Sequence, residues 1–217
     1  MKICCISDIH GNLNFDIPKC DLLLIAGDIC PADHNPFISV NSQSDFLAED
    51  FKYWLTEQPC KEAVGIAGNH DWIFEVAKDK VPELNVNWHY LEDSFIEIQG
   101  EKIYGSPWQL PFNDWAFNLE EPQLSRKWIF IPEDTDILLV HSSIFEIGDK
   151  VQHENSVENI GSKSLREKII QIKPGLVVFG HNHDGHGEYE LEGVRCINAS
   201  LLDDNYRMSY SPIMVEI

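Results

Sequence analysis

A chain of 217 residues with 36 acidic against 16 basic side chains carries a formal charge of −20, which opposes polyanionic partners and argues against duplex nucleic acid and anionic membrane. The length suffices for one substantial core and the composition shows no break, so a single domain over residues 1–217 is expected. No apolar stretch approaches the ~20 residues of a membrane-spanning helix. The six cysteines form no C-x-x-C pair, and Met1-Lys2-Ile3 leads straight into a strand, which points to a cytoplasmic protein with reduced thiols.

Along the chain, five short apolar runs read as strands buried on both faces, and each ends in residues able to bind a metal or move a proton. Ile3 to Ile6 leads to Asp8 and His10, and Leu22 to Ala26 leads to Asp28. Phe37 to Gln43 reads as a loop near the site. Ser44 to Glu57 reads as a crossover helix with Ser44 as candidate cap, placing Phe46, Leu47, Phe51, Trp54 and Leu55 at helical spacing. Val64 to Ala67 then leads to Asn69, His70 and Asp71, and a short helix follows. From Trp88 to Tyr104 the texture turns to short β runs, with Phe95 to Ile98 and Lys102 to Tyr104 flanking Gln99-Gly100-Glu101 as a hairpin, so the sheet becomes mixed. Ile137 to Val140 leads to His141. Ser162 to Ile172 reads as a helix stopped by Pro174-Gly175, and Leu176 to Phe179 leads to His181 and His183. A hairpin around Glu192-Gly193 and an edge strand from Ile213 to Ile217 complete the chain. In open α/β sheets ligands bind outside the carboxyl ends of the strands. Five polar termini on five such strands are expected to converge there.

Asp8 and His10, two apart at a strand exit, can reach one ion. Asp28 suits a carboxylate bridging two ions, Asn69 offers a neutral oxygen, and His141, His181 and His183 offer imidazole nitrogens. This N/O set lacks thiolate and has too many donors for one tetrahedral ion, so two ions of manganese, iron or zinc type are expected. Such a pair lowers the pKa of a bridging water, orients a phosphoryl group and neutralises charge on its oxygens. His70, beside Asn69, is placed to donate a proton to a leaving oxygen, while Asp71 either orients it or caps the next helix.

Asp8-Ile9-His10, Gly27-Asp28, Gly68-Asn69-His70-Asp71, His141 and Gly180-His181-Asn182-His183 resemble, in order and spacing, the five motifs of the calcineurin-like metallophosphoesterases. Ile103 to Trp108, Trp115-Ala116-Phe117 and Gly185-His186-Gly187 look like the small metallophosphoesterase-domain proteins within that superfamily. The resemblance implies an α/β fold that is a four-layer sandwich of two mixed sheets flanked by helices. It implies one metal on Asp8, His10, Asp28 and His183, a second on Asp28, Asn69, His141 and His181, and His70 as proton donor. Two divalent ions are expected, Mn2+ first, with Fe, Zn, Ni or Mg as alternatives. Members of that subgroup act weakly on phosphodiesters, including cyclic nucleotides. Protein phosphatases of the superfamily carry an Arg-containing extension after the bridging Asp, where this chain has Ile29-Cys30-Pro31. The subgroup's usual Gly-Pro-Pro after the fourth-motif histidine is replaced by Ser142-Ser143-Ile144, a change in the pocket wall that touches no ligand.

The expected function is hydrolysis of a small phosphodiester or phosphomonoester, such as a nucleotide or cyclic nucleotide, by metal-bridged hydroxide. A non-catalytic metal-binding scaffold of the same fold and a single-strand nuclease are the alternatives. Outside the motifs, His34, His89, His153 and His186 read as surface or satisfied histidines, and Trp108, Phe112, Trp115 and Phe117 as core rather than base-stacking residues. Cys30 reads as a small buried hydrophobe, Asn12 and Asn182 as turn residues, and Glu120-Glu121 and Asp203-Asp204 as solvated surface.

Overall fold

Successive side chains of a strand point to opposite faces, and that alternation sorts this core into layers. The computed structural model describes residues 1–32, 36–152 and 156–217, the side chains of 36–38 aside. Its strands are β1 (Lys2–Ile6), β2 (Leu22–Ala26), β3 (Glu62–Ile66), β4 (Trp88–Tyr90), β5 (Ser94–Ile98), β6 (Glu101–Ser106), β7 (Ile137–Val140), β8 (Lys150–Gln152), β9 (Val157–Asn159), β10 (Leu176–Phe179), β11 (Gly187–Leu191), β12 (Val194–Asn198) and β13 (Ile213–Glu216). One sheet has the order β13-β1-β2-β3-β4 and the other β11-β12-β10-β7-β6-β5. Both are mixed, since β13 joins the first antiparallel and β11 and β5 join the second antiparallel.

Ile3, Cys5, Leu22 and Leu24 meet Ile137, Leu139, Leu176 and Val178 between the sheets. Their sequence neighbours Cys4, Ile6, Leu23 and Ile25 face outward. There they pack on residues of α1 (Pro36–Phe46), of a π-helical segment (Leu47–Phe51) and of α2 (Lys52–Glu57). On the far side Leu138, Val140, Val177 and Phe179 pack on Leu124 and Trp128 of α4 (Glu121–Trp128) and on Leu165 and Ile169 of α5 (Lys163–Ile172). The short α3 (Trp72–Val76) follows the third motif. Helix, sheet, sheet, helix is the resulting four-layer α/β sandwich. Among the described residues no helix is long and apolar enough to cross a membrane.

The parallel register aligns the strand exits. Ile6 lies opposite Ile25, and Ala26 opposite Ile66, so β1, β2 and β3 end together. In the second sheet Leu139 lies opposite Val178, so β7 and β10 end together too. The five exits thus come from two sheets, three from one and two from the other.

Three local expectations need correction. The segment 37–43 is helical rather than a loop, because α1 begins at Pro36, whose fixed φ suits a first helical position. Ser39, Val40 and Gln43 are buried along it, a helix face disguised by polar residue types. Ser44 therefore lies inside a helix and caps nothing; its hydroxyl donates to the Lys80 carbonyl at 3.0 Å. Glu120 is exposed, as expected, but Glu121 is structural rather than solvated. The Glu120 amide donates to Gln123 at the start of α4, and Glu121 Oε1 accepts from the Ser164 amide at 2.6 Å and from Ser162 Oγ at 3.0 Å. The region after His141 contains the small β8–β9 hairpin. The two hairpin turns are as read: Gln99-Gly100 and Glu192-Gly193 all have φ between 49° and 94°, the pairing that two-residue turns require.

Candidate metal centre

Four of the candidate ligands occupy the left-handed backbone region, Asp8 at φ 54°, His10 at 44°, Asp28 at 51° and His181 at 72°. A non-glycine residue there costs roughly 1–2 kcal/mol. Specific bonds hold it in place. The Asp8 amide donates to the Gly27 carbonyl, His10 to that of Asp28 and Gly11 to that of Ile29, at 2.9–3.0 Å, so the loops after β1 and β2 continue a ladder beyond their strands. The His181 amide donates to both oxygens of Asp8 at 3.1 Å, tying the second sheet to the first. Close approach is essential at Gly68 and Gly180. A Cβ on Gly68 would strike the Asp28 carboxylate and amide, and one on Gly180 would strike Ser7 Oγ and Asp8 Oδ2.

The donor atoms converge. His10 Nε2 lies 3.2 Å from His183 Nε2, and Asp28 Oδ2 lies 3.6 Å from Nε2 of both His10 and His141. Asn69 Oδ1 is 2.8 Å from His141 Nε2 and 2.7 Å from His181 Nδ1. Asp8, His10 and His183 form one group with all ligand atoms within 4.8 Å; Asp8, Asp28 and His141 form another, and His10, Asp28 and His70 a third.

Two of the imidazoles are oriented by backbone carbonyls. His141 Nδ1 donates to the Ala26 carbonyl at 2.8 Å and His183 Nδ1 to the Asp203 carbonyl at 3.0 Å, so each ring turns its Nε2 inward. Burial and the nearby His70 and His141 keep His10 and His181 neutral. His10 is held well below the usual imidazole range, and His181 is lowered to about 3. Burial raises Asp28 well above the usual carboxylate range, and the charges of Asp8 and Asp71 add to it. Burial pushes Asp8 the same way, but the His183 contact and the other imidazoles outweigh it and hold the carboxyl low; burial lowers His183, but its contact with Asp8 outweighs that and raises it to about 9, so a cation bound there would displace the Nε2 proton. Among the described residues neither Asp8 nor Asp28 has a Lys or Arg partner. Crowded N and O donors around two buried carboxylates have only His183 to offset their charge, and divalent cations fit that deficit.

His70 sits above this cluster. Its amide donates to Asp28 Oδ1 at 2.7 Å and its carbonyl accepts from Gln43 Nε2 at 2.6 Å. Its ring packs on Trp115 at 4.0 Å between centroids and edge-on against His10 at 4.8 Å. Of the two parts expected of Asp71, one is not taken, since its side chain does not cap α3. Its carboxylate instead accepts from the amides of Ile29 (3.1 Å), Cys30 (2.7 Å) and Gly68 (2.8 Å), bracing the second and third motifs against each other. Cys30 is buried, as expected.

A cavity of about 620 Å³ opens over Asp28, Asn69, His70, His181 and His183. Its walls split the aromatic stretch that reads as core. Phe117 is fully buried, and Trp108 packs on it. Phe112 and Trp115 instead line the cavity, with Phe112 51% exposed. The pair Asp203-Asp204 does more than face solvent. Asp204 lines the cavity, and the Asp203 carboxylate accepts from the Asn205 and Arg207 amides and Ser209 Oγ. His186 stacks on Tyr210 and reaches the Ser200 carbonyl, and His89 pairs with Glu62. His34 and His153 lie outside the described residues. Asn12 accepts from the Asn14 amide in a turn, whereas Asn182 lines the cavity and donates to the Gly148 carbonyl.

Three residues around the cluster carry no motif signal. Gln43 also accepts from the Ile73 amide at 3.0 Å, so it joins α1 to the third motif. Ser200 Oγ donates to Asp8 Oδ2 at 2.7 Å. Tyr206 places its hydroxyl 3.4 Å from His70 Nε2.

A family model described as calcineurin-like phosphoesterase matches residues 1–185. Metallophosphoesterase domain-containing protein 1 of Homo sapiens is 31% identical over 242 residues, covering 100% of this chain and 71% of the relative. Among solved structures, a Thermus thermophilus protein, TT1561, aligns with a TM-score of 0.56 at 16% identity, over 91% of this chain and 88% of that one. The purple acid phosphatase PPD1 of yellow lupin aligns at 0.52 and 12% identity, over 92% and 43%. At such identities the structures speak for the fold, and the family rests on the sequence matches: this chain belongs to the calcineurin-like phosphoesterases.

Proposed function

We propose that the chain hydrolyses a small phosphoester with two divalent cations, manganese foremost, held at the five strand exits. The observation that carries this reading is the convergence of donor atoms of His10, Asn69, His141, His181 and His183 around buried Asp8 and Asp28. Asp8, His10, Asp28 and His183 would hold one ion and Asp28, Asn69, His141 and His181 the other. Bound there, the ions supply a water of lowered pKa and neutralise charge developing on phosphoryl oxygens. His70, clamped on Trp115, donates a proton to the leaving oxygen as the ester bond breaks. Asp71 keeps Gly68 and the loop after Asp28 in register beneath it.

The cavity supports a substrate of low charge. Among its described lining residues there is no Lys or Arg, while Leu110, Phe112, Trp115, Val151 and Ile160 give apolar wall and Glu158 and Asp204 add negative charge. Such walls favour a phosphodiester with apolar substituents over a polyphosphate or an oligonucleotide. The test is hydrolysis of bis-p-nitrophenyl phosphate and p-nitrophenyl phosphate by metal-stripped protein resupplied with manganese, nickel, zinc or magnesium. Metal-dependent turnover, faster on the diester and lost in Asp28→Asn, is expected. No turnover with any metal would leave a metal-binding scaffold of the same fold.

A further inference from the structure

Tyr206 lies beyond residues 1–185, the span of the family match, yet it reaches the centre of the site. Its ring lies edge-on to His10 at 4.9 Å, His183 at 5.4 Å and His70 at 6.2 Å, and its hydroxyl is 3.4 Å from His70 Nε2. The backbone that delivers it is a built turn. The Tyr206 amide donates to the Asp203 carbonyl at 2.8 Å, the Asp203 amide donates to the Arg207 carbonyl at 2.9 Å, and the Asp203 carboxylate accepts from the Asn205 and Arg207 amides. Within it Tyr206 has φ 58°, a left-handed conformation that an aromatic residue adopts only under constraint.

The same turn serves a candidate ligand. The Asp203 carbonyl that accepts from the Tyr206 amide also accepts from His183 Nδ1 at 3.0 Å, the bond that turns His183 Nε2 inward. This one turn therefore orients an imidazole below and brings a phenol to another above. Among the described residues, Trp115 packs on His70 at a tilt, His10 meets it edge-on and Tyr206 reaches its outer nitrogen.

We infer that Tyr206 is a positioning residue for hydrolysis, its phenolic oxygen accepting from His70 Nε2–H and so keeping the donor proton on the nitrogen that faces the cavity. This rests on the proposed phosphoesterase reading. A leaving group that departs as a stable anion needs little help from that proton, whereas an unactivated one depends on it. The role of Tyr206 therefore shows as a difference between leaving groups.

The experiment compares wild type, Tyr206→Phe and His70→Ala, each loaded with manganese, on bis-p-nitrophenyl phosphate and on diphenyl phosphate. Tyr206→Phe keeps the ring and removes the oxygen. It is expected to lower kcat on the phenyl ester about tenfold with KM nearly unchanged, and to lower kcat on the nitrophenyl ester less than about twofold. In the metal-free protein, long-range 1H–15N spectra, with the His70 signal identified from its loss in His70→Ala, should show the His70 ring nitrogens shifted in Tyr206→Phe. Equal slowing of both esters, no slowing of either, or unchanged His70 signals would overturn the assignment. If wild type hydrolyses neither ester with any metal, the phosphoesterase reading itself fails and the positioning role in hydrolysis falls with it. A shifted His70 signal in that case would report the contact alone.

Discussion

The two rims of the sandwich use the same unusual backbone for opposite purposes. At one rim the turns Gln99-Gly100 and Glu192-Gly193 adopt left-handed φ values, and a Cβ on either glycine would meet nothing within 4 Å. At the other rim Asp8, His10, Asp28 and His181 hold left-handed φ with bulky functional side chains, and neighbouring glycines let backbone approach carboxylate. The hairpin rim uses its glycines to relieve strain, and the strand-exit rim keeps the strain and uses them for proximity. A constraint of that kind persists where surrounding bonds over-determine it, here the continued ladder after β1 and β2 and the three amides on Asp71.

Substitutions can separate the rims. The largest contrast is in turnover: His70→Ala or Asn69→Ala should lower kcat on bis-p-nitrophenyl phosphate by about 10²-fold or more with the circular dichroism spectrum retained, whereas Glu192→Ala should leave kcat unchanged. Full activity in His70→Ala would remove its role as acid. Next comes packing. Gly68→Ala puts a methyl against Asp28 and is expected to destabilise the fold by about 2–3 kcal/mol and to weaken metal binding. Gly100→Ala, strained only by its φ of +94° in open space, should cost about 1 kcal/mol with metal binding intact. Urea midpoints of the two variants decide it, and equal losses would erase the distinction between the rims.

The bracing residues give smaller effects. Asp71→Asn keeps the shape but turns a charged acceptor of three amides into a neutral one carrying an NH2 group, for an expected loss of about 2 kcal/mol. Gln43→Ala removes one donor and one acceptor beneath His70 and should cost about 1–2 kcal/mol, again read from urea midpoints. Its turnover should fall several-fold through displacement of His70. An unchanged midpoint with unchanged kcat would place the bracing of the third motif elsewhere.

The same contrast explains what is legible in the sequence. Strands β1, β2, β3, β7 and β10 are readable because each is a short apolar run, and the ligand types stand directly at their ends, so local order carries both fold and candidate site. Hairpin turns are readable because a glycine in the second position is a local demand. Gln43 is hidden because α1 carries Ser39, Asn41, Ser42, Gln43 and Ser44 close together, which reads as loop until packing buries Ser39, Val40 and Gln43. Helix α4 is hidden because its buried residues, Leu124 and Trp128, are only two. Ser200 and Tyr206 act on Asp8 and His70 from 192 and 136 residues away, and nothing in their own neighbourhood marks them. Asp71 is visible but its partners are not, since a cap and an acceptor for distant amides share one residue type.

The central claim is that the strand-exit rim holds two divalent ions through a shared Asp28. Equilibrium dialysis of metal-stripped protein against manganese, followed by elemental analysis, tests it most directly. The account predicts about two ions bound per wild-type chain and a loss of at least one in Asp28→Asn, with Gly100→Ala binding as wild type does. A wild-type chain that binds no ion, or an Asp28→Asn chain that still binds two, would contradict it.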